Sequence, residues 1–419
     1  MSSKILKLIH FADIHLGMEK YGYFNPRTGL NSRISDFLKC LDTAIDYAIE
    51  NRVEAVLFAG DAYKSREPSQ TTQKAFAKRV YRLSKNNIPF VGIIGNHDSP
   101  NTPSKAHTLE IFTILKTPSV YISGEAEVLT INLKNNKKLQ IATLPWFTAD
   151  TLLTKEEQKD KNMEEINTLL LEKVKKIVNN LKSQINPKIP SVLMAHNAVS
   201  GAEFGSEQKV MISQDFVIPL NILASGPWFY VALGHLHKFQ VLEKNPPVVY
   251  SGSIDRVDFG EEKEDKGFIF TSHKYDVQGT KKDQDTRFKF IKVPARRFVS
   301  ISINITPGEQ NLLKKIKEEI KNNRIEHAVV KIKISGPKDN LDQISERQVL
   351  EYLKKAYFIS AIEKEVLEKR RIKKGMDYEK ELNPIEALKE YFRIKKVEKR
   401  KSRVLQEKAR ELMKEVEQR

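Results

Sequence analysis

Short apolar runs alternate with stretches of helical periodicity over the first quarter of the chain. Ile5 to Phe11, Ala55 to Ala59 and Phe90 to Ile94 are apolar runs of strand length. Between them, Ser32 to Glu50 and Thr71 to Ser84 carry apolar residues at helical spacing. This alternation is typical of an α/β layered fold, in which helices cover the faces of a sheet.

The middle of the chain predicts further strands and one long helix. Short strands and turns are expected from Val120 to Leu144, with a hairpin turn at Lys134 to Lys137, and a charged helix from Glu156 to Lys182. The polar segment Val277 to Arg287 is expected to be a loop at a hairpin tip. Four more strands are predicted at Ser191 to Ala195, Phe229 to Leu233, Val248 to Ser251 and Phe268 to Ser272.

A smaller α/β module follows, at residues 291–365, after a first domain at 1–290. Its predicted strands and helices alternate, at Phe298 to Ile305, Glu309 to Asn323, His327 to Ser335, Ile344 to Lys355 and Ala356 to Ile362. The sequence thus predicts two folded domains in the first 365 residues.

The last segment, 366–419, predicts a basic helical tail. Asn383 and Pro384 have the pattern of a helix cap and first turn. Two amphipathic faces follow, formed by Ile385, Leu388 and Phe392 and by Leu405, Ala409, Leu412 and Val416. With nothing local to cover them, these faces predict a docking element for a partner. The alternative is a helix pair that folds back on the chain's own core.

Composition narrows the class of protein and of partner. The 419 residues carry a formal net charge of +17, which favours a polyanionic partner such as nucleic acid, although solvated lysines alone are the alternative. The single cysteine, Cys40, lies in an apolar helical run and is expected to be a core residue. Without a disulfide framework, a signal peptide or an apolar run of about 18 residues, we expect a soluble, cytoplasmic protein.

Residues that bind metals follow the predicted strands repeatedly. Residues two apart in an extended segment project to the same side, so Asp13 and His15 can bind one cation together. Open α/β sheets place their ligands at the carboxyl ends of strands. In chain order the motifs are Asp13-Ile14-His15, Gly60-Asp61, Gly95-Asn96-His97-Asp98, His196 and Gly234-His235-Leu236-His237.

This ordered set resembles the calcineurin-like metallophosphoesterase family. Two further stretches resemble its SbcD-type DNA nucleases, namely Asp61 to Ser69 and Tyr250 to Arg256 with Phe259, Glu261 and Lys266-Gly267-Phe268. The resemblance implies a four-layer β-sandwich flanked by helices, with the small α/β module as a DNA-capping domain. It also implies that the tail, around Pro384 to Leu388, docks on a partner ATPase.

The resemblance implies two divalent metal ions, and the mixture of oxygen and nitrogen ligands suits manganese and tolerates iron or zinc. It assigns one ion to Asp13, His15 and His237, the other to Asn96, His196 and His235, and Asp61 to both. His97 would act on the leaving group, and Asp98 is expected to orient it. Lys64 stands where many relatives carry His, which leaves the balance of exonuclease and endonuclease activity open; the alternative is that Lys64 is a surface residue.

The function implied is that of the nuclease subunit of an SbcCD-like complex in DNA repair and recombination. It would be a 3′–5′ double-strand exonuclease and a single-strand or hairpin endonuclease. Its partners would be DNA, an SbcC-like coiled-coil ATPase of the SMC type, and a second copy of the chain. The dimer would form through the helices at Ser32 to Glu50 and Thr71 to Ser84. The alternatives are a stand-alone phosphodiesterase for nucleotides or small phosphoesters, and a non-catalytic DNA-tethering protein.

Other polar and aromatic residues are expected to have structural roles. His10 lies inside the first strand and should pack or form a hydrogen bond. Trp146 and Trp228 adjoin apolar strands and should belong to the core. Arg256 is expected to brace the site rather than to meet phosphate.

Overall fold

The computed structural model describes residues 3–100, 105–205, 216–276, 285–367, 384–395 and 397–417. Contacts divide the chain into two units, Met1–Val366 and Leu367–Arg419. The second unit therefore begins within one residue of the predicted start of the tail.

The strands and helices that the hydrophobic pattern predicts occur in the expected order, together with several that it does not predict. The strands are β1 (Ser3–Phe11), β2 (Phe24–Asn25), β3 (Leu30–Asn31), β4 (Ala55–Phe58), β5 (Phe90–Ile93), β6 (Val120–Ser123), β7 (Val128–Asn132), β8 (Lys138–Leu144), β9 (Ser191–His196), β10 (Tyr230–Gly234), β11 (Gln240–Lys244), β12 (Pro247–Tyr250), β13 (Gly267–Asp276), β14 (Asp285–Lys292), β15 (Phe298–Asn304), β16 (Val329–Gly336) and β17 (Phe358–Val366). The helices are α1 (Ser32–Glu50), α2 (Gln70–Lys85), α3 (Glu110–Ile114), α4 (Ala149–Leu152), α5 (Lys155–Gln158), α6 (Met163–Gln184), α7 (Leu220–Ala224), α8 (Leu312–Asn322), α9 (Lys338–Asp342), α10 (Glu346–Tyr352), α11 (Pro384–Ile394) and α12 (Lys399–Glu417).

Two sheets lie face to face in the first unit. The first has the strand order β14-β13-β1-β4-β5-β6, and the second has the order β11-β12-β10-β9-β8-β7. The neighbouring strands β1, β4, β5 and β6 are parallel, as are β8, β9, β10 and β12. Parallel strands direct their carboxyl ends to one edge, so each sheet presents its connecting loops on the same side.

Apolar side chains fill three spaces between four layers. Leu57 and Val91 of the first sheet meet Ile141 and Val192 of the second in the space between the sheets. The helices α1 and α2 cover the outer face of the first sheet. The helix α6 covers the second sheet, with Val174, Val178 and Leu181 completely buried. The expected four-layer sandwich flanked by helices is confirmed.

The predicted helix from Glu156 to Lys182 is wrong in one respect, because two helices occupy that stretch. The chain leaves helical geometry after α5, and Asn162 starts α6 as its cap. The Asn162 side chain accepts hydrogen bonds from the backbone N–H groups of Glu164 and Glu165, at 3.0 Å each. The prediction of a loop at Val277 to Arg287 is also wrong at its end. Residues 285–287 belong to β14, and 277–284 lie outside the described residues.

The smaller module forms a parallel sheet of its own, in the order β15-β16-β17. Its core includes Ile301, Ile316, Ile332 and Leu353, all at most 3% exposed. The predicted division at 290 falls inside β14, which continues to Lys292. This module lies within the first unit and contacts the sandwich directly.

The second unit consists, where it is described, of the helices α11 and α12. The first starts at Pro384 as predicted, while Asn383 lies outside the described residues. Ile385, Leu388 and Phe392 are half-buried in this unit. On α12, Ala409 is half-buried and Leu405 is exposed, whereas Leu412 and Val416 lie outside the described side chains. Among the helices that are described, none has both the length and the apolar character needed to cross a membrane.

Most of the residues expected to be structural are structural. His10 is buried in β1, and its Nδ1 lies 3.0 Å from the Tyr230 hydroxyl. Cys40 and Trp228 are buried, whereas Trp146 is only half-buried. Arg256 donates to the backbone carbonyl groups of Glu261 and Arg296, at 3.2 and 3.1 Å, and so braces two segments as expected.

Candidate metal centre

The predicted ligands converge where loops of the two sheets meet. The loops after β1, β4 and β5 come from the first sheet, and the end of β9 and the loop after β10 come from the second. The residues that they bring together are Asp13, His15, Asp61, Asn96, His196, His235 and His237. The structure therefore places all seven predicted ligands in one cluster.

Asp13, His15 and His237 form the first group of ligands. Each offers a donor atom, and these atoms lie within 4.8 Å of one another. The Nε2 atoms of His15 and His237 are 2.9 Å apart. A single proton can be covalently bound to only one of these nitrogens, whereas a metal ion can accept both lone pairs. The group is thus suited to a bound cation.

Asn96, His196 and His235 form the second group around one amide oxygen. Asn96 Oδ1 lies 3.1 Å from His196 Nε2 and 3.2 Å from His235 Nδ1. Asp61 Oδ2 lies between the groups, 3.6 Å from His15 Nε2 and 3.5 Å from His196 Nε2. One carboxylate therefore has access to both groups.

The orientation of His196 is itself fixed by the backbone. Its Nδ1 donates to the carbonyl oxygen of Ala59, at 2.6 Å, so the lone pair of Nε2 faces the oxygens of Asn96 and Asp61. A lone pair that faces oxygen atoms requires a cation between them. A proton is the smallest cation that satisfies this arrangement, and a divalent metal ion satisfies the same donor set.

Charge and burial shift the pKa values in this cluster in opposite directions. Burial disfavours the charged imidazole of His196, but the Asp61 and Asp13 carboxylates and the Ala59 carbonyl together outweigh it and raise the pKa of His196 to about 9. Burial also opposes the Asp61 carboxylate, yet the neighbouring histidines hold the pKa of Asp61 well below its usual range. Burial raises the pKa of Asp13. The cluster thus holds carboxylates where positive charge is needed to stabilise them.

Four of the clustered residues have backbone conformations that L-amino acids rarely adopt. Asp13, His15, Asp61 and His235 have φ angles of 50°, 46°, 62° and 97°. Such conformations cost energy and persist only where the surrounding structure enforces them. Here they turn the chain sharply after each strand and direct the side chains into the cluster.

His97 lies beside the cluster, and its contacts differ from the expectation. Its ring centroid is 4.8 Å from that of His15, and its Nδ1 donates to the Lys64 carbonyl oxygen at 2.9 Å. The prediction that Asp98 orients this ring is therefore wrong. The Asp98 carboxylate instead accepts hydrogen bonds from the backbone N–H groups of Asp61 and Ala62, at 2.7 and 3.0 Å. It is buried and holds two ligand-bearing loops together.

The side chain of Arg66 approaches the cluster from the loop after β4, and the sequence did not indicate this role. Its Nε donates to the backbone carbonyl of Asn96 at 3.2 Å, so it supports a predicted ligand. The side chain of Lys64 is half-buried, which disfavours the alternative that it is an ordinary surface lysine. A third supporting group, Glu261, contacts His237 directly. All three residues lie in stretches that resemble SbcD-type nucleases, but no spacing rule predicts their contacts.

Comparisons with known proteins agree with this architecture. The family model described as calcineurin-like phosphoesterase matches residues 6–239. The DNA double-strand break repair protein Mre11 of Archaeoglobus fulgidus is 26% identical over 61% of this chain and 52% of that protein. Mre11 of Sulfolobus acidocaldarius is 26% identical over 76% of this chain and 72% of that protein. A component of the nuclease SbcCD of Bacillus subtilis is 23% identical over 61% of this chain and 63% of that protein. The chain thus spans about half the length of the first of these relatives.

Proposed function

Since the chain belongs to the calcineurin-like phosphoesterase family, we propose that it is a DNA nuclease that hydrolyses phosphodiester bonds with two bound divalent metal ions. The observation that carries this proposal is the pair of buried ligand groups that share Asp61. Mixed oxygen and nitrogen ligands without a thiolate suit manganese, which we propose as the metal, and they also tolerate iron or zinc.

Two divalent ions held by these residues would polarise a phosphodiester and lower the pKa of a bound water. The protein's own residues then determine where the substrate lies. His97 is half-buried beside His15, so its ring can reach a phosphate held at the cluster. With Nδ1–H bound to the Lys64 carbonyl, its Nε2 is left to face the leaving oxygen, and it can protonate that oxygen when the ring carries a second proton on Nε2.

DNA is the proposed substrate because the chain has a large positive net charge and because its relatives are named for DNA repair or as a nuclease. The net charge of +17 provides attraction for phosphate without sequence preference. The relatives are named as a double-strand break repair protein and as part of a nuclease. By analogy we assign to this chain 3′–5′ exonuclease activity on duplex ends and endonuclease activity on single strands and hairpins, in DNA repair and recombination.

The proposal includes two protein partners. An SbcC-like ATPase of the SMC type would bind the second unit, where Tyr391, Val404 and Leu405 are exposed by 54, 59 and 40%. Exposed apolar side chains on amphipathic helices are typical of a helix that docks in a partner's groove. A second copy of the chain would bind through α1 and α2, on which Tyr81 is 61% exposed.

The test is cleavage of end-labelled linear duplex DNA with manganese, with Asp61→Ala as the control. We expect shortening that requires manganese and is abolished in Asp61→Ala, since this change removes the carboxylate shared by both ligand groups. Magnesium and a small chromogenic phosphodiester are assayed in parallel. Turnover of the small ester with DNA left intact, even after the ATPase is added, would favour a stand-alone phosphodiesterase instead.

A second variant separates catalysis from DNA tethering. His97→Ala should lower the cleavage rate by about 10²- to 10⁴-fold, the usual contribution of a general acid. It should keep manganese and DNA binding, because no predicted ligand depends on the His97 side chain. Equal cleavage by His97→Ala and the wild type would exclude this role for His97. Tight DNA binding by a wild-type protein that never cleaves would favour the tethering function.

A further inference from the structure

A buried carboxylate lies directly behind His237, on the side opposite the metal centre. Glu261 Oε1 accepts a hydrogen bond from His237 Nδ1 at 2.7 Å. Because this bond places the proton on Nδ1, the lone pair of Nε2 is directed at His15 Nε2, 2.9 Å away. The carboxylate thereby selects both the tautomer and the ring orientation that binding a cation requires.

Glu261 has little freedom to adopt another position. Its second carboxylate oxygen accepts from the Ser253 hydroxyl at 3.2 Å and from the Val257 backbone N–H at 3.0 Å. The ammonium group of Lys266 lies 2.8 Å from the same oxygen. With the residue only 6% exposed, the carboxylate is fixed by protein groups rather than by solvent.

Lys266 holds the same histidine from its backbone side. Its Nζ donates to the His237 carbonyl oxygen at 2.9 Å, and the residue is 2% exposed. It also pairs with Glu264 at 2.7 Å. A buried ion pair contributes little net stability, because desolvation of the charges offsets their attraction. A gain in stability therefore does not explain this ion pair. Its two members instead contact His237, Glu261 at the ring and Lys266 at the backbone carbonyl.

Other histidines of the cluster are held differently. His196 Nδ1 has a neutral partner, the Ala59 carbonyl at 2.6 Å. Within the described part of the chain, His15 Nδ1 has no hydrogen-bond partner. An anionic partner raises the basicity of an imidazole more than a neutral one does, so His237 is the strongest donor of the three.

We propose that Glu261, held in place by Lys266, is the positioning residue of His237 and strengthens metal binding at the group that His237 forms with Asp13 and His15. This inference rests on the proposed function, because it assumes that the cluster binds metal ions. It adds to that function an unequal affinity of the two groups, with a defined structural cause.

The test is a titration of the metal-free full-length protein with manganese chloride. Binding is measured by calorimetry and by the electron paramagnetic resonance signal of manganese. We expect two binding steps in the wild type. Glu261→Gln keeps the shape and a hydrogen-bond acceptor but removes the charge. It should weaken one step by about 10- to 100-fold and leave the other unchanged. Glu262→Gln, the same change one residue later in the same turn, should alter neither step, since Glu262 contacts Ser300 and not a ligand.

Glu261→Gln also removes one of the two carboxylates that pair with the Lys266 ammonium, which can destabilise the fold. The double variant Glu261→Gln with Lys266→Gln removes both charges, and it should show the same selective loss with an unchanged melting temperature of the metal-free protein. Two unaltered binding steps in a folded variant would overturn the inference. So would equal weakening of both steps together with a lower melting temperature. A wild-type protein that binds no manganese would instead overturn the proposed function itself.

Discussion

At the scale of single residues, two glycines are as important to the candidate metal centre as its ligands, because neither position has room for a Cβ atom. A Cβ atom on Gly95 would lie 2.1 Å from Asp61 Oδ1 and 2.6 Å from the Asp61 backbone nitrogen. On Gly234, it would lie 2.1 Å from the Ala59 carbonyl oxygen. Contacts this short do not occur between unbonded atoms. Both glycines therefore precede ligands because the loops approach each other too closely for a side chain.

Replacement of Gly95 by Ala should disrupt the centre. Asp61 and its backbone must move to accommodate the methyl group, and the carboxylate shared by both ligand groups moves with them. We expect at least one manganese ion to be lost in a titration, and DNA cleavage to fall by more than about 100-fold, as misplacement by about 1 Å can cause. Gly124→Ala is the matched control, because its nearest contact would be an ordinary 3.6 Å. Wild-type manganese binding by Gly95→Ala would contradict this account.

The residues that form the cluster were predictable from the sequence, whereas the contacts that support them were not. Asp13 and His15 could be recognised because they follow an apolar strand with a spacing of two. Asp98 was assigned to His97 because they are neighbours, but its carboxylate turns toward backbone N–H groups. Glu261 lies 24 residues from His237, and its contact exists only in the folded chain. Local patterns identify strand ends, but hydrogen bonds between loops require the three-dimensional structure.

At the scale of secondary structure, the start of α6 could have been predicted from its capping residues, although the helical periodicity gave no sign of it. Asn162 and Glu165 have the spacing of a capping box, in which each side chain bonds to the other residue's backbone N–H. The Glu165 carboxylate accepts from the Asn162 N–H at 2.8 Å. Charged residues on both sides of the cap continue a helical pattern, so periodicity alone joined α5 to α6. Cap residues therefore locate helix ends better than amphipathic spacing does.

Removal of this cap should destabilise the domain measurably. Asn162→Ala leaves the first N–H groups of α6 without an acceptor, and we expect the free energy of unfolding to fall by about 1 kcal/mol. Denaturant unfolding measured by circular dichroism provides the test. Asn167→Ala makes the same substitution on an exposed position inside α6, where alanine favours the helix, and should not destabilise it. Equal effects of the two changes would show that the cap contributes nothing.

At the scale of the whole first unit, an aromatic cluster and a charged cluster join the small module to the sandwich. The ring of Tyr21, in the loop after the first metal motif, meets the rings of Phe259, Phe298 and Phe358 at 5.4 to 6.3 Å. Phe298 and Phe358 begin two strands of the small module. The module therefore contacts both a loop near the metal centre and the turn that carries Glu261. Its position next to the centre suits the DNA-capping role that the resemblance to SbcD-type nucleases implies.

The charged cluster is centred on Arg296, which links the small module to the sandwich. The Arg296 guanidinium contacts the Asp36 carboxylate on α1 with two nitrogens, one of them at 2.9 Å, and lies 3.8 Å from the ring centroid of Tyr357. It also donates to the His327 carbonyl at 2.9 Å. One side chain thus joins a helix of the sandwich to two segments of the module.

Arg296→Ala should loosen this attachment without disturbing the metal centre. Hydrogen bonds to charged groups contribute about 1.5–3 kcal/mol each, so we expect faster hydrogen exchange throughout β15 and β16. Manganese binding should be unchanged, because Arg296 contacts no predicted ligand, while DNA affinity should fall as the module loses its fixed position. Arg297→Ala is the control, since that exposed side chain bonds only to the Glu326 carbonyl within the module. Unaltered exchange in Arg296→Ala would show that the aromatic cluster suffices to hold the module. Loss of manganese would show that the module and the metal centre are coupled more tightly than these contacts indicate.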